Sequence, residues 1–275
     1  LIVSVYFGNR TGSASTSDYT ASTVKETVLA ACSIAKYTGE DVCHGLADPD
    51  RLVKSPLDLD LYHPWEPTVE QALEFAVACE DKALSIDNRI KKSEGASVES
   101  HRGLVTYGNT NKFMERSRRT RQGLSCSVIG VEGNSMQRDY WYSASRTVNA
   151  LESAESVGEK AARRTIRRMG SRKIKTCQVP IIYEAPIASS LPSHLITAIS
   201  GGAIYRNASF LSSKLDSQVF PDFIRVHEQP LLKGAMGSAA FDSEGVATSP
   251  KDIVSEGVLR SYILDSYSAR RLNKE

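Results

Sequence analysis

The sequence predicts an α+β protein. Three observations carry that prediction: strand-like runs with hairpin turns open the chain and recur in its middle, segments of helical periodicity stand between blocks of strands instead of alternating with single strands, and turn signals cluster where the β-rich runs end. Residues 1–176 are expected to form an N-terminal, sandwich-like domain of hairpins and helices, and residues 177–275 to begin a mostly β domain. The boundary is expected near residues 170–178, where Arg172, Lys173 and Lys175 interrupt the apolar patterning.

In chain order, Leu1 to Phe7 reads as a strand, Gly8 to Gly12 as a turn and Ser13 to Thr16 as a second strand. Thr23 and Glu26 have capping-box spacing, and Val24, Val28, Cys32 and Ala35 make the buried stripe of a helix that Gly39 ends. Four prolines punctuate Glu40 to Pro67, a long surface connection. Thr68 and Gln71 cap a second helix with Ala72, Leu73, Ala76, Val77, Ala83 and Leu84 facing inward. Lys91 to Tyr142 reads as a meander with turns at Gly95, Gly108-Asn109, near Gly123 and at Gly133-Asn134. A third helix is expected from Val157 to Met169, capped by Ser156 with Glu159 and stopped by Gly170. Val179 to Glu184 reads as a buried strand, and Lys251 to Asp265 as a hairpin turning at Glu256-Gly257.

Hydrophobic content of 41%, charged content of 24% and a formal net charge of +2 describe a globular protein with no strong electrostatic case for nucleic acid or an anionic membrane. No run approaches the roughly 18 apolar residues of a membrane span. The chain opens at Leu1 without an initiator Met and stops at Glu275 without a closing element, so both ends read as cut and a targeting segment is not excluded. Cys32, Cys43, Cys79, Cys126 and Cys177 are odd in number and widely spaced, which argues against a disulfide framework or zinc knuckle and for a reducing compartment, the cytoplasm.

Catalytic constellations are absent. His44, His63, His101, His194 and His227 include no two within a helical turn, and neither a Gly-x-Ser-x-Gly elbow nor a P-loop occurs. Cys43-His44 reads as a loop pair. The basic runs Arg116, Arg118, Arg119, Arg121 and Arg163, Arg164, Arg167, Arg168 lack interleaved aromatics, and a solvated face is the favoured reading of both. Asp242 to Gly245 lacks the alternating oxygens of a calcium loop and reads as a polar turn.

The stretch Ser193 to Phe210 stands apart. Leu191, Leu195, Ala198, Ile199, Gly202 and Ala203 make one apolar helical stripe, yet Gly201 and Gly202 sit inside it. Since glycine costs about 1 kcal/mol against alanine in a helix interior, the pair is expected to serve either close approach of another backbone or a helix that stops and turns.

These landmarks resemble the TldD/PmbA family, once labelled modulators of DNA gyrase. The resemblance rests on Tyr6-Phe-Gly-Asn-Arg-Thr-Gly-Ser-Ala-Ser, Asp58-Leu-Asp-Leu-Tyr-His-Pro, Ile199-Ser-Gly-Gly-Ala-Ile-Tyr-Arg-Asn-Ala-Ser-Phe, Phe241-Asp-Ser-Glu-Gly-Val and Tyr267-Ser-Ala-Arg. It implies the family's fold with its C-terminal domain truncated, a Gly-rich part being expected after Leu272. It also implies a metallopeptidase assembly. The TldD-like member carries His-Glu-x-x-x-His on a helix, with zinc on the histidines, the glutamate as general base and a cysteine from the C-terminal part completing the site. The matching window here, Ile196 to Gly201, offers neither imidazole nor carboxylate, so His194, Ile196, Thr197, Ser200 and Gly201 mark a degenerate site. By this resemblance the chain has no catalytic, metal or cofactor residues of its own and is a non-catalytic subunit. Zinc is expected in a TldD-like partner, with which it forms a heteromer (a homodimer when alone) that processes unfolded peptides in the cytoplasm, with no role for membrane or nucleic acid. The competing reading is a homodimeric peptide-binding or regulatory protein without peptidase activity.

Overall fold

The structure, a computed structural model, describes residues 1–274; Glu275, the last residue of the expected second domain, lies outside them. The α+β class holds. Strands β1 (Ile2–Phe7) and β2 (Arg10–Ser15) form an antiparallel hairpin under helix α1 (Ala21–Tyr37). The hairpin turns at Gly8-Asn9 alone, so β2 starts earlier than expected. Thr23 and Glu26 lie inside α1 and form no cap; Thr23 Oγ1 instead donates to Asp18. The buried face of α1 is Thr27, Ala31 and Ala35, whereas Val28 is exposed, a rotation from the expected stripe that sets the smallest side chains against β2. The helix closes at Tyr37 with Thr38 as its C-cap, ahead of Gly39.

Helix α2 (Val69–Ser85) has the reciprocal Thr68/Gln71 capping box expected for it. Its inward face is Cys79 and Ala83, with Ala72 and Ala76 half-buried, while Leu73 is 59% exposed and Val77 and Leu84 also face out. The reason lies across the interface in helix α3 (Ala154–Arg168), where a Cβ on Gly158 would fall 2.1 Å from the Cys79 carbonyl oxygen. The two helices touch backbone to backbone, so only small residues fit between them. Ser153, not Ser156, caps α3, and Glu159 pairs with Arg163. Met169 is the C-cap, with Gly170 just beyond the helix at φ 70°.

Both helices cover one face of an antiparallel sheet of order β3-β4-β5, made of β3 (Ile90–Asn109), β4 (Phe113–Glu132) and β5 (Ser135–Ser145). Leu124, Cys126 and Val128 meet Val157, Ala161 and Ala162 there. The expected turns at Gly95 and Gly123 do not form. Gly95 sits at a register shift inside β3, and Gly123 lies mid-strand between Glu99 and Ala144. Each long strand has 20 residues, hence about 65 Å of length. Because β5 pairs only from Gln122 to Glu132 of β4, the far half of β3–β4 runs on as a two-stranded ribbon. Its tip anchors distant chain: Phe113 packs with Tyr107 and Phe241 at ring distances of 5.8 and 5.9 Å, beside Ala47 and Leu52.

Between α3 and the next helix the chain forms no strand. The expected buried strand Val179 to Glu184 is exposed, with Ile182 96% exposed, because no neighbouring strand accepts its backbone among the described residues. Short helices α4 (Ala185–Ala188), α5 (Ser190–Ala198) and α6 (Gly201–Tyr205) follow. A small sheet of β6 (Val226–Glu228), β7 (Lys251–Ser255) and β8 (Val258–Leu259) and helix α7 (Ser266–Leu272) complete the chain. Glu256-Gly257 makes the hairpin turn as expected, but β8 stops after Leu259 because Ile263 pairs with Ser200 instead. Leu195, Ile199, Ile204, Leu211, Ile253, Val254 and Leu259 form the core of this half. No helix among the described residues is long and apolar enough to cross a membrane.

Candidate functional site

The glycine pair marks a break between two helices. Helix α5 ends at Ala198, Ser200 is extended at φ −64° and ψ 140°, and α6 begins at Gly201. Two backbone bonds stitch the break to the chain ahead of α7: Gly201 N donates to Ile263 O at 2.7 Å, and Ile263 N to Ile199 O at 3.1 Å. A Cβ on Gly201 would lie 2.0 Å from Ser268 Oγ and 2.4 Å from Ser268 Cβ. Ser268 is itself fixed, since its backbone N donates to Asp265 Oδ1 at 2.8 Å and its hydroxyl accepts from Asp265 N at 3.0 Å, the reciprocal capping box at the start of α7. Gly202 has ordinary room, so only the first glycine is required by packing. The helix stops and turns as one of the two expected uses has it, while what crowds Gly201 is the Ser268 side chain and not another backbone. The single helical stripe from Leu191 to Ala203 is corrected accordingly.

The residues of the degenerate window scatter around this break. His194, Ile196 and Thr197 are exposed, Ser200 is half-buried and Gly201 is buried. Thr197 Oγ1 donates to Ser193 O at 3.0 Å and Ser200 Oγ to Thr197 O at 2.9 Å, so both hydroxyls are spent on their own helix. A catalytic zinc needs three protein ligands with an open fourth position. Among the described residues no group of three or more His, Cys, Asp or Glu is placed to hold a metal ion. The donor set at the window does not fit zinc.

Three of the segments that suggested the family, those holding Tyr205, Glu244 and Tyr267, meet beside the break instead, together with the loop from Asp41. Asp41 accepts from Tyr267 Oη at 2.8 Å and from Cys43 N at 3.0 Å, and Arg271 Nη2 lies 3.6 Å away. The Cys43 amide, then the Tyr267 hydroxyl, hold this carboxyl below the usual carboxylate range, while Asp41 raises Tyr267. The His44 ring stands 4.9 Å from Tyr267, and Tyr205 of α6 meets Tyr267 edge-on at 5.6 Å. Arg270 donates to the carbonyls of Cys43 and Leu46, and Glu244 accepts from both N and Oγ of Ser266 at the start of α7. Asp41, Tyr205, Glu244 and Tyr267 carry no motif spacing, and only the three-dimensional fold brings them together across 226 residues. Cys43-His44 belongs to this lock: Cys43 is buried and His44 packs on Tyr267. The arrangement clamps α7 and the 41–48 loop around α6, and it sets no nucleophile beside a base.

Two sequence profiles match: the PmbA/TldA metallopeptidase central domain over residues 62–169 and the PmbA/TldA metallopeptidase C-terminal domain over residues 176–275. The chain is 42% identical over 270 residues to a protein named metalloprotease PmbA from Escherichia coli O157:H7, covering 98% of this chain and 60% of that protein. It therefore spans about 60% of the length of that relative. A crystal structure from Bacteroides thetaiotaomicron, of a protein proposed as a modulator of DNA gyrase, superposes with a TM-score of 0.92 at 29% identity, over 100% of this chain and 63% of that one. TldE from Thermococcus kodakarensis shares the fold, with a TM-score of 0.81 at 18% identity over 100% of this chain and 62% of that one. With this fold, these profiles and these relatives, the chain belongs to the PmbA/TldD metallopeptidase family.

Proposed function

We propose that this chain serves as the PmbA-like, non-catalytic subunit of a zinc peptidase assembly acting on unfolded peptides in the cytoplasm. One observation carries the reading: the window where a zinc-binding helix would present His-Glu-x-x-x-His is here a broken helix, Ile196 to Gly201, with no imidazole or carboxylate and with Gly201 closed off by Ser268. Zinc and the general base then come from a TldD-like partner. What this chain contributes is surface and shape. β3 and β5 are edge strands whose outer backbone groups can pair with an extended peptide, and the Asp41–Tyr267 lock holds the broken helices in register with the N-terminal hairpin. The five described cysteines are all free, in keeping with a reducing compartment.

The test is reconstitution. Unfolded peptide incubated with this protein alone should remain intact, with cleavage beginning when a TldD-like subunit is added and stopping with a zinc chelator. Cleavage by the protein alone, at a rate the partner does not change, would overturn the proposal.

A further inference from the structure

The basic run Arg116, Arg118, Arg119 and Arg121 is exposed as expected, yet two of its members stand beside a buried arginine. On the outer side of the β3–β4 ribbon, where β5 ends, His101 pairs across from Arg121 and Gly103 from Arg119. These residues line an open cleft of about 330 Å³, whose far wall is Met236 and whose floor includes Arg146. Arg146 is only 5% exposed. Its Nη1 donates to Thr120 O at 2.8 Å and its Nη2 to Met236 O at 2.6 Å and Ala235 O at 3.3 Å, while its buried Nε has no partner. The charges around it aggravate the problem: burial first, then the neighbouring Arg119 cation, lowers its proton affinity, and no carboxylate acts in the opposite sense. Among the described residues Arg119 and Arg121 have no ion-pair partner either.

A buried guanidinium held by neutral carbonyls, with Arg119 and Arg121 lining the same cleft besides the Glu66-paired Arg102, is costly unless an anion completes it. Arg146 has its Nε left to offer, and the planar forks of Arg119 and Arg121, which make no ion pair among the described residues, match a carboxylate. The cleft has room for one side chain or chain end, not for a run of nucleotides, and its walls include no Phe, Tyr or Trp for base stacking. Met236 supplies an apolar wall for an aliphatic stem, and the free edge of β3 passes beside it.

We infer that the cleft bounded by His101, Arg119, Arg121, Arg146 and Met236 binds a carboxylate of an extended peptide, either an acidic side chain or the C-terminal carboxylate. The inference rests on the reading of this chain as a peptide-handling subunit, and it names the substrate class that subunit selects: acidic segments. The ribbon edge aligns the backbone, and the arginines fix one carboxylate in register.

The experiment uses the protein without any partner subunit and three fluorescein-labelled peptides of one extended sequence. The first carries a central Glu and an amidated C-terminus, the second Gln and an amidated C-terminus, and the third Gln and a free C-terminus. Binding of the first or the third about tenfold tighter than the second, weakening with added salt, supports the inference and says which carboxylate is read. The double variant Arg119→Gln/Arg121→Gln changes only exposed side chains and should erase that preference while leaving the circular dichroism spectrum unchanged. Arg146→Lys, which keeps the charge and loses the fork, should weaken it in part. Equal binding of all three peptides overturns the inference, as does a preference that survives the double variant. Tighter binding of a single-stranded oligodeoxynucleotide than of the acidic peptide, lost in the same double variant, also overturns it. Hydrolysis is not read here, so failure of this test leaves the reconstitution result standing, and the reverse holds too.

Discussion

Replacing Gly158 by alanine destabilises the protein by about 3 kcal/mol, the upper end of the usual cost of overpacking a filled core. On helix propensity alone the same change would stabilise by about 1 kcal/mol, so the two effects differ in sign and packing decides. The added Cβ would stand 2.1 Å from Cys79 O, 3.1 Å from Cys79 C and 3.2 Å from Ala83 N. All three are backbone atoms of α2 and cannot swing aside as a side chain would. Relief requires α2 and α3 to move apart, which opens the core formed by Cys79, Ala83, Val157, Ala161 and Leu124. Urea denaturation followed by circular dichroism measures the effect. An unchanged or higher midpoint would mean that the helices are not in backbone contact.

Gly201→Ala lowers stability by about 2 kcal/mol through the junction of α5, α6 and α7. Its Cβ meets the Cβ and Oγ of Ser268, and the Cβ cannot rotate away. Gly201→Ala combined with Ser268→Gly should recover part of the loss, a coupling that a double-mutant cycle reads directly. The same geometry bears on the degenerate window. The triple change Ile196→His/Thr197→Glu/Gly201→His restores the family's zinc-binding pattern on paper, yet it should yield a less stable protein that takes up no zinc. Position 201 has no space for an imidazole, and no third ligand is at hand among the described residues. Stoichiometric zinc on a folded triple variant would show that the break is adaptable.

Much of the fold was legible because local chemistry decided it. Thr68 and Gln71 cap α2 as their spacing requires, and Glu256-Gly257 turns its hairpin. What was illegible depended on partners far away in sequence. Leu73, Val77 and Leu84 look like an inward stripe until Gly158 brings α3 so close to α2 that only Cys79 and Ala83 fit between them. Val179 to Glu184 has the composition of a buried strand, but no strand among the described residues pairs with it. At the candidate site, the glycine pair signalled a special backbone, and the window's lack of His and Glu was plain in the sequence itself. The Asp41–Tyr267 lock and the orphaned Nε of Arg146 left no trace in spacing, because each is made by residues whose neighbours lie dozens to hundreds of positions away.

The central claim is that this protein holds no catalytic zinc of its own, and metal analysis tests it most directly. The protein is purified without a TldD-like subunit, equilibrated with zinc, passed through a desalting column and assayed for zinc per chain. The account predicts a value close to zero, with stoichiometric zinc appearing only once the partner subunit is bound. One tightly held zinc per chain in the absence of the partner would contradict it.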